Sequence, residues 1–166
     1  LTDGASLWAT PIIRGSAESN DELVTMTWSP SLQSRFTLAY NVEQTLGIPG
    51  FVVSAHWAST GNDLWAEPAV TSGSVATPNA VAGGKYRTFV ASEALGGGGA
   101  SNYRVRAYTA ANGNGYWQDE LDADEAFYAT VVSTDSYKEQ KVFAAGCRIN
   151  DDGNCSILVR AVKGTK

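Results

Sequence analysis

The chain has 166 residues, enough to bury a hydrophobic core, and we expect a single domain spanning residues 1–166. Its 12 Lys and Arg residues stand against 17 Asp and Glu residues, which gives a formal net charge of −5. Nucleic acid and anionic membrane surfaces are therefore unfavourable partners, because binding to either depends on basic side chains. No apolar run is long enough to cross a bilayer, so we predict no membrane insertion.

Charged residues make up 17% of the chain, below the roughly 25% of an ordinary soluble domain. Gly, Ala, Ser and Thr take their place. Such a surface is expected of proteins that pack against copies of themselves or lie outside cells, although many short turns between strands require the same residue types. The chain starts at Leu1 without an initiator Met or a leader-like segment, so we expect a processed product or a fragment.

Several segments of the N-terminal half alternate between apolar and polar side chains, as β-strands do. Residues 23–28 alternate weakly and end at a Ser-Pro pair. Residues 35–43 also fit a helical stripe, but their β-branched and aromatic content and the Gly-Ile-Pro-Gly sequence at 47–50 favour a strand. Residues 51–57 alternate next. Residues 58–83 are rich in Ser, Thr, Gly, Pro and Ala and predict a long loop or short edge strands.

The alternation continues beyond this segment. Residues 85–91 predict a strand, and we expect the glycine run at 96–99 to be a flexible loop tip. Residues 103–109 predict a strand that ends in a hairpin turn, Asn-Gly-Asn-Gly at 112–115. Residues 126–133 predict another strand. About eight to ten strands at regular spacing predict an all-β fold, an antiparallel β-sandwich of jelly-roll-like or Ig-like type.

Two segments resemble parts of fibronectin type III domains. Residues 24–30 are similar to the second strand of that family. Residues 103–108 and 112–117 are similar to its sixth strand and the turn that follows. The stretch between the two segments is too long for the family pattern, and the residues after Trp117 have no place in it. The resemblance therefore implies a sandwich fold only.

The strongest local signal is a C-terminal β-hairpin, in which the strand-like residues 142–147 and 155–160 flank the segment 148–154, with its turn of Asn, Asp and Gly. The only cysteines, Cys147 and Cys155, lie symmetrically about Asp151, which predicts a register in which they face each other and form a disulfide. The short loop gives a chain-entropy stabilisation of about 2.5 kcal/mol. A disulfide predicts an oxidising setting, either extracellular or on a virion surface.

No residue pattern points to catalysis, and we predict a non-enzymatic protein without cofactor or metal. The only histidine, His56, is explained by a half-exposed strand position. The acidic segment 119–125 lacks the central glycine of a calcium loop, so we interpret it as a solvated connection. Residues 150–154 have a calcium-like composition, but a tight turn requires the same residues. Carboxylate pairs for glycoside hydrolysis would have to come from different strands. Such glutamates are Glu43, Glu67 and Glu93.

The tryptophans divide into expected core residues and candidate ligand platforms. We expect Trp28 and Trp57 to anchor the core. Trp65 and Trp117 lie among Asn and Asp side chains, which is typical of sites that stack a sugar ring and hydrogen-bond its hydroxyls. The candidate ligand-binding residues are Trp65, Trp117, Asn62, Asp63, Asn112 and Asn114.

These features favour a surface-exposed structural or assembly protein: a virion projection or coat domain, a phage tail component or a pilus-like subunit. We expect copies of the chain to form a homo-oligomer. The alternative is a carbohydrate-binding, lectin-like module or receptor-binding spike domain, with a cell-surface glycan or receptor as partner. A second alternative is a secreted glycan-active enzyme domain.

Overall fold

The protein is an all-β structure, as the sequence predicted. The computed structural model describes residues 22–29, 34–43, 49–69, 76–95, 101–121, 127–134, 138–139, 141–149 and 152–164. These residues form eleven strands and no helix. The strands are β1 (Glu22–Ser29), β2 (Arg35–Glu43), β3 (Pro49–Trp57), β4 (Asp63–Ala69), β5 (Ala76–Gly83), β6 (Arg87–Leu95), β7 (Ser101–Thr109), β8 (Gly115–Leu121), β9 (Phe127–Thr134), β10 (Lys141–Ile149) and β11 (Cys155–Lys163).

The strands form antiparallel sheets whose order follows the chain. The orders are β1-β2-β3-β4, β5-β6-β7-β8 and β11-β10-β9. Antiparallel neighbours can be joined by short connections, so a chain with a turn after each strand forms such meanders readily. The antiparallel all-β prediction is confirmed. The jelly-roll-like or Ig-like type stays a prediction. The glycine run at 96–99 lies outside the described residues.

Residues 58–83 contain more regular structure than the loop or short strands that we predicted. They include β4 and β5, each of which occupies an outer position in its sheet. Both strands contain a proline, Pro68 in β4 and Pro78 in β5. Proline cannot donate a ladder hydrogen bond, and it is tolerated on outer strands for that reason.

Two hydrophobic clusters lie on opposite faces of the β5–β8 sheet. On one face, Phe89 and Val105 pack with Val142 of β10. On the other face, Val90 packs with Val53 of β3. Neighbouring residues of a strand point to opposite faces, so apolar residues in consecutive positions give this sheet two apolar faces. We refer to these clusters as the first and the second core cluster.

A third cluster lies on the β1–β4 sheet and includes Phe36 and Leu38. Trp28 is opposite Phe36 on the outer strand β1 and is 55% exposed, so the prediction that it anchors the core is wrong. Its side chain lies at the margin of this cluster, on an outer strand with only one neighbouring described strand. Trp57, predicted in the core, is half-buried.

His56 is fully buried, which corrects the prediction of a half-exposed position. It lies on the inner strand β3, and its ring stacks on Phe36 with the ring centroids 5.1 Å apart. His56 is buried because β3 has a paired strand on each edge, and because Phe36 of the third cluster covers the imidazole ring.

The predicted disulfide between Cys147 and Cys155 is present, with the Cα atoms 5.5 Å apart. The predicted register is wrong. Cys147 pairs with Ile157 and Cys155 pairs with Ile149, so the disulfide joins diagonal neighbours. A disulfide is typical of proteins in an oxidising, extracellular setting.

The hairpin turn explains this register. Because Ile149 pairs with Cys155, the midpoint of the turn is Asp152, one residue beyond the predicted Asp151. Gly153 adopts the left-handed conformation, with φ of 78°, and the carboxylate of Asp152 accepts a hydrogen bond from the Asn154 backbone N–H at 3.0 Å. Residues 150–151 lie outside the described residues.

Candidate functional site

The predicted ligand-binding residues lie mainly in and beside two turns that meet at Trp65. The Trp65 indole N–H donates a hydrogen bond to the carbonyl oxygen of Ala110, at 2.9 Å. This contact joins the start of β4 to the turn between β7 and β8. The predicted polar residues Asn62, Asp63, Asn112 and Asn114 are all exposed.

Trp65 supports the turn from below. It is 8% exposed and belongs to the second core cluster, where its ring stacks on Tyr108 with centroids 6.4 Å apart. Gly113 has a φ of 75° and lies so close to Trp65 that an added Cβ atom would be 2.5 Å from the indole ring. The faces of the ring are therefore in contact with protein, and the side chain positions Asn112 and Asn114 from within the core.

Trp65 packs on one face of the β5–β8 sheet, and Trp117 of β8 lies on the opposite face of that sheet. Its ring is half-buried against the first core cluster, 5.9 Å from the ring of Phe89. Its indole N–H donates to the carbonyl oxygen of Gly164, at 3.1 Å. The structure therefore does not bring Trp65 and Trp117 together as neighbouring platforms.

Sequence reasoning missed the exposed aromatic residues at this end of the molecule, Tyr86 and Tyr116. Tyr86 is 57% exposed, and its carbonyl oxygen accepts the Ala110 N–H at 2.8 Å. Tyr116 is 39% exposed, with the Arg87 guanidinium 4.3 Å from its ring centroid. We call the surface formed by Tyr86, Tyr116, Asn112 and Asn114 the tyrosine–asparagine surface.

A β-bulge explains the position of Tyr116. Ala107 pairs with Trp117 and Tyr108 pairs with Gly115, which leaves Tyr116 as the extra residue of β8. Bulges re-aim side chains and are frequent beside functional sites. No local pattern in the sequence indicated this exposure, because the extra residue interrupts the alternation of side chains along β8.

A second constellation consists of Ser54, His56 and Asp63. The Ser54 hydroxyl lies 2.8 Å from His56 Nε2, and an Asp63 carboxylate oxygen lies 3.2 Å from His56 Nδ1. A bulge at Leu64 of β4 places Asp63 opposite His56. The order hydroxyl, imidazole, carboxylate is that of acyl-transfer enzymes.

The burial of these groups is the reverse of what such an enzyme needs. Ser54 and His56 are fully buried, whereas the side chain of Asp63 is 55% exposed. A nucleophile must reach its substrate, and the acid that orients the imidazole is normally the buried member. In this arrangement the Ser54 hydroxyl provides a hydrogen-bond partner for the buried imidazole, and the Asp63 carboxylate lies close to its other ring nitrogen.

A buried ion pair joins the loop before β10 to the start of β6. Glu139 is fully buried with a φ of 52°, and its carboxylate lies 3.1 Å from the Arg87 guanidinium. It also accepts hydrogen bonds from the backbone N–H groups of Tyr86 and Arg87. The same segment is bound by Arg35 of β2, which donates a hydrogen bond to the Lys85 carbonyl oxygen at 2.7 Å. Burial lowers the pKa of Arg35, and the charge of Glu139 raises it.

A second ion pair joins β8 to β11. The Arg160 guanidinium donates two hydrogen bonds to the Asp119 carboxylate, both at 3.2 Å. Asp119 opens the predicted acidic connection but lies within β8, and residues 122–126 are outside the described residues. Burial raises the pKa of the adjacent Tyr103 to about 12, the Asp119 charge adds to this, and Arg160 opposes it. Together, the Asp119–Arg160 pair and the Arg35 hydrogen bond to Lys85 connect the β5–β8 segment to the β9–β11 and β1–β4 sheets.

Large apolar side chains are exposed on the C-terminal hairpin. Ile157 is 83% exposed, Val159 62% and Phe143 44%. The register places them on one face of the hairpin, because Phe143 pairs with Ala161 and Val159 with Ala145. We call these three residues the hairpin apolar surface.

Comparison with protein-family models, curated protein sequences and solved structures finds no match to this chain. Among the described residues, no group of three or more His, Cys, Asp or Glu side chains is placed to hold a metal ion. Within the same residues, no helix is long and apolar enough to cross a membrane.

Proposed function

We propose that this protein is a non-enzymatic structural or assembly protein exposed on a surface, such as a virion projection or coat domain, a phage tail component or a pilus-like subunit. Its partners are copies of itself. The observation that carries the proposal is the hairpin apolar surface, since large exposed apolar patches on soluble domains mark interaction sites. The disulfide supports an extracellular or virion-surface location.

The internal cross-links support the same proposal. The pair Glu139–Arg87 joins the loop before β10 to β6, the pair Asp119–Arg160 joins β8 to β11 of another sheet, and the disulfide closes the terminal hairpin. A rigid body loses little conformational entropy when it joins an assembly, so it can associate through a modest surface. We further propose that the sheets stack as the layers of an antiparallel sandwich, supported by core clusters on opposite faces of the β5–β8 sheet.

Sedimentation equilibrium over a range of protein concentrations tests this proposal. We expect reversible self-association, with the mean mass rising with concentration. A strict monomer under all conditions of salt and pH would contradict it.

A carbohydrate-binding or receptor-binding function is the alternative, and the tyrosine–asparagine surface favours it. Exposed tyrosine rings beside exposed amides provide both a stacking face and hydrogen-bonding groups for a sugar. Because Trp65 is buried, we assign the stacking role to Tyr86 and Tyr116. A glycan array tests this, with Tyr116→Ala expected to remove binding and Trp28→Ala, on β1 and outside this surface, expected to retain it. An array without any hit would exclude the alternative.

An enzymatic function, the second alternative, has one favouring observation in the Ser54, His56 and Asp63 constellation. Acyl transfer fits that set better than the carboxylate pair of a glycan-active enzyme. The burial of Ser54 disfavours it. We therefore expect a serine-directed fluorophosphonate probe to leave the folded protein unlabelled. Labelling that is lost in Ser54→Ala would instead favour an enzyme.

A further inference from the structure

The outer strands of the described sheets differ in how their open edges are protected. β1, β4, β5, β8 and β9 each have a register shift against their neighbour, and in every case the extra residue lies in the outer strand. The extra residues are Val24, Leu64, Asn79, Tyr116 and Thr130. Such bulges twist an edge away and are one means by which proteins prevent their sheets from pairing with other chains.

β11 lacks this protection. Its nine residue pairs with β10, from Lys141–Lys163 to Ile149–Cys155, run without a register shift. Among the outer strands that the structure describes, it is the one with a regular edge. Ile157 is 83% exposed and Val159 is 62% exposed, so one face of the strand is open to solvent, and no described strand pairs with its outer edge. A long, regular, apolar edge favours pairing with another strand.

We propose that two copies of this protein pair antiparallel through β11, with Leu158 opposite Leu158 of the second copy, to form one continuous sheet. The inference rests on the proposed assembly function and identifies its interface. In this register Ile157 of each copy lies opposite Val159 of the other, on the same face of the joined sheet. The most exposed apolar side chains of the hairpin thereby become cross-strand neighbours.

The charges along the hairpin match this pairing. Lys163 and Lys141 lie opposite each other at one end, and Asp152 lies in the turn at the other. In the proposed register Lys163 is opposite Gly153 of the second copy, next to its Asp152. An antiparallel pair therefore brings each basic end to the acidic turn of the other copy, whereas a parallel pair would bring like charges together. Arg148, near the turn, lies on the other face of the sheet.

Sedimentation equilibrium of the full chain tests the interface with two matched variants. Ile157→Lys places a charge at the proposed interface, and Met26→Lys places the same charge on β1, at a residue that is 63% exposed. We expect Ile157→Lys to raise the dissociation constant of the dimer at least about tenfold, because the substitution occurs twice in a symmetric interface. Met26→Lys should leave the dissociation constant within about twofold of the wild-type value. Unchanged circular dichroism spectra show that both variants fold.

Cross-linking tests the register independently. In Leu158→Cys the two introduced thiols would be directly opposite, at a distance that a disulfide can span, so mild oxidation should yield a covalent dimer. Association that persists unchanged in Ile157→Lys, with no cross-linking through position 158, would overturn the β11 interface while leaving the assembly proposal standing. A wild-type protein that never associates would overturn both.

Discussion

Two glycines with nearly the same backbone conformation allow the support of the β7–β8 turn to be measured. Gly113 has a φ of 75° and Gly153 a φ of 78°. A Cβ atom added to Gly113 would be 2.5 Å from the Trp65 ring, whereas nothing lies within 4 Å of one added to Gly153. Ala at either position adopts a left-handed conformation, which costs about 1–2 kcal/mol.

Only Gly113→Ala also forces the buried indole ring to move. Insertion of a methyl group into a packed core costs about 1–3 kcal/mol. We therefore expect Gly153→Ala to lower the free energy of unfolding by about 1–2 kcal/mol, and Gly113→Ala to lower it by about 2–5 kcal/mol. Equilibrium urea denaturation measures both values. If the two variants lose the same stability, the contact between Gly113 and the Trp65 ring does not support the turn.

Four further predictions concern the buried charges and the hairpin. Glu139→Gln should lower the free energy of unfolding by about 1.5–3 kcal/mol in urea denaturation, since Arg87 loses a charged hydrogen-bond partner. Because Tyr103 has a pKa raised from 10.0 to about 12, its contribution to stability should be complete below pH 10 and be lost as the pH rises to 12; Tyr103→Phe should remove that part of the pH dependence. The hydrogen bonds from Asn154 lower the pKa of Asp152, so its titration by NMR should fall below the ordinary aspartate range, and its contribution to stability should be lost as the pH falls through that lowered pKa. Cys147→Ser should cost up to about 2.5 kcal/mol in the same denaturation experiment, without changing the circular dichroism spectrum.

The fold class and most strands could be predicted from the sequence, because alternation over several residues is a local property. The segments predicted at 35–43 and 103–109 are strands β2 and β7 of the structure. The sequence left β4 and β5 undecided between a long loop and short edge strands, because proline and small residues conceal outer strands, which tolerate them.

The site residues were harder to predict because burial depends on which sheet covers which face. Trp65 lies among Asn and Asp side chains in the sequence and Trp28 does not, yet Trp65 is 8% exposed and Trp28 is 55% exposed. The difference lies in the contact of Trp65 with Gly113, far away in the sequence, which no local pattern reports. The exposed Tyr116 was hidden for a related reason, because a single extra residue in β8 changes the side to which its ring points.

The same extra residues connect the fold to the proposed function. A bulge costs ladder hydrogen bonds, so a chain that carries one in β1, β4, β5, β8 and β9 gives up stability at each of these edges. Protection against unwanted pairing offsets such a cost at a sheet edge. The regular edge of β11 is then consistent with a strand that pairs with β11 of a second copy. If β11 were merely a solvated edge, a charge placed on its exposed face should have no effect on association, and Ile157→Lys measures whether that is so.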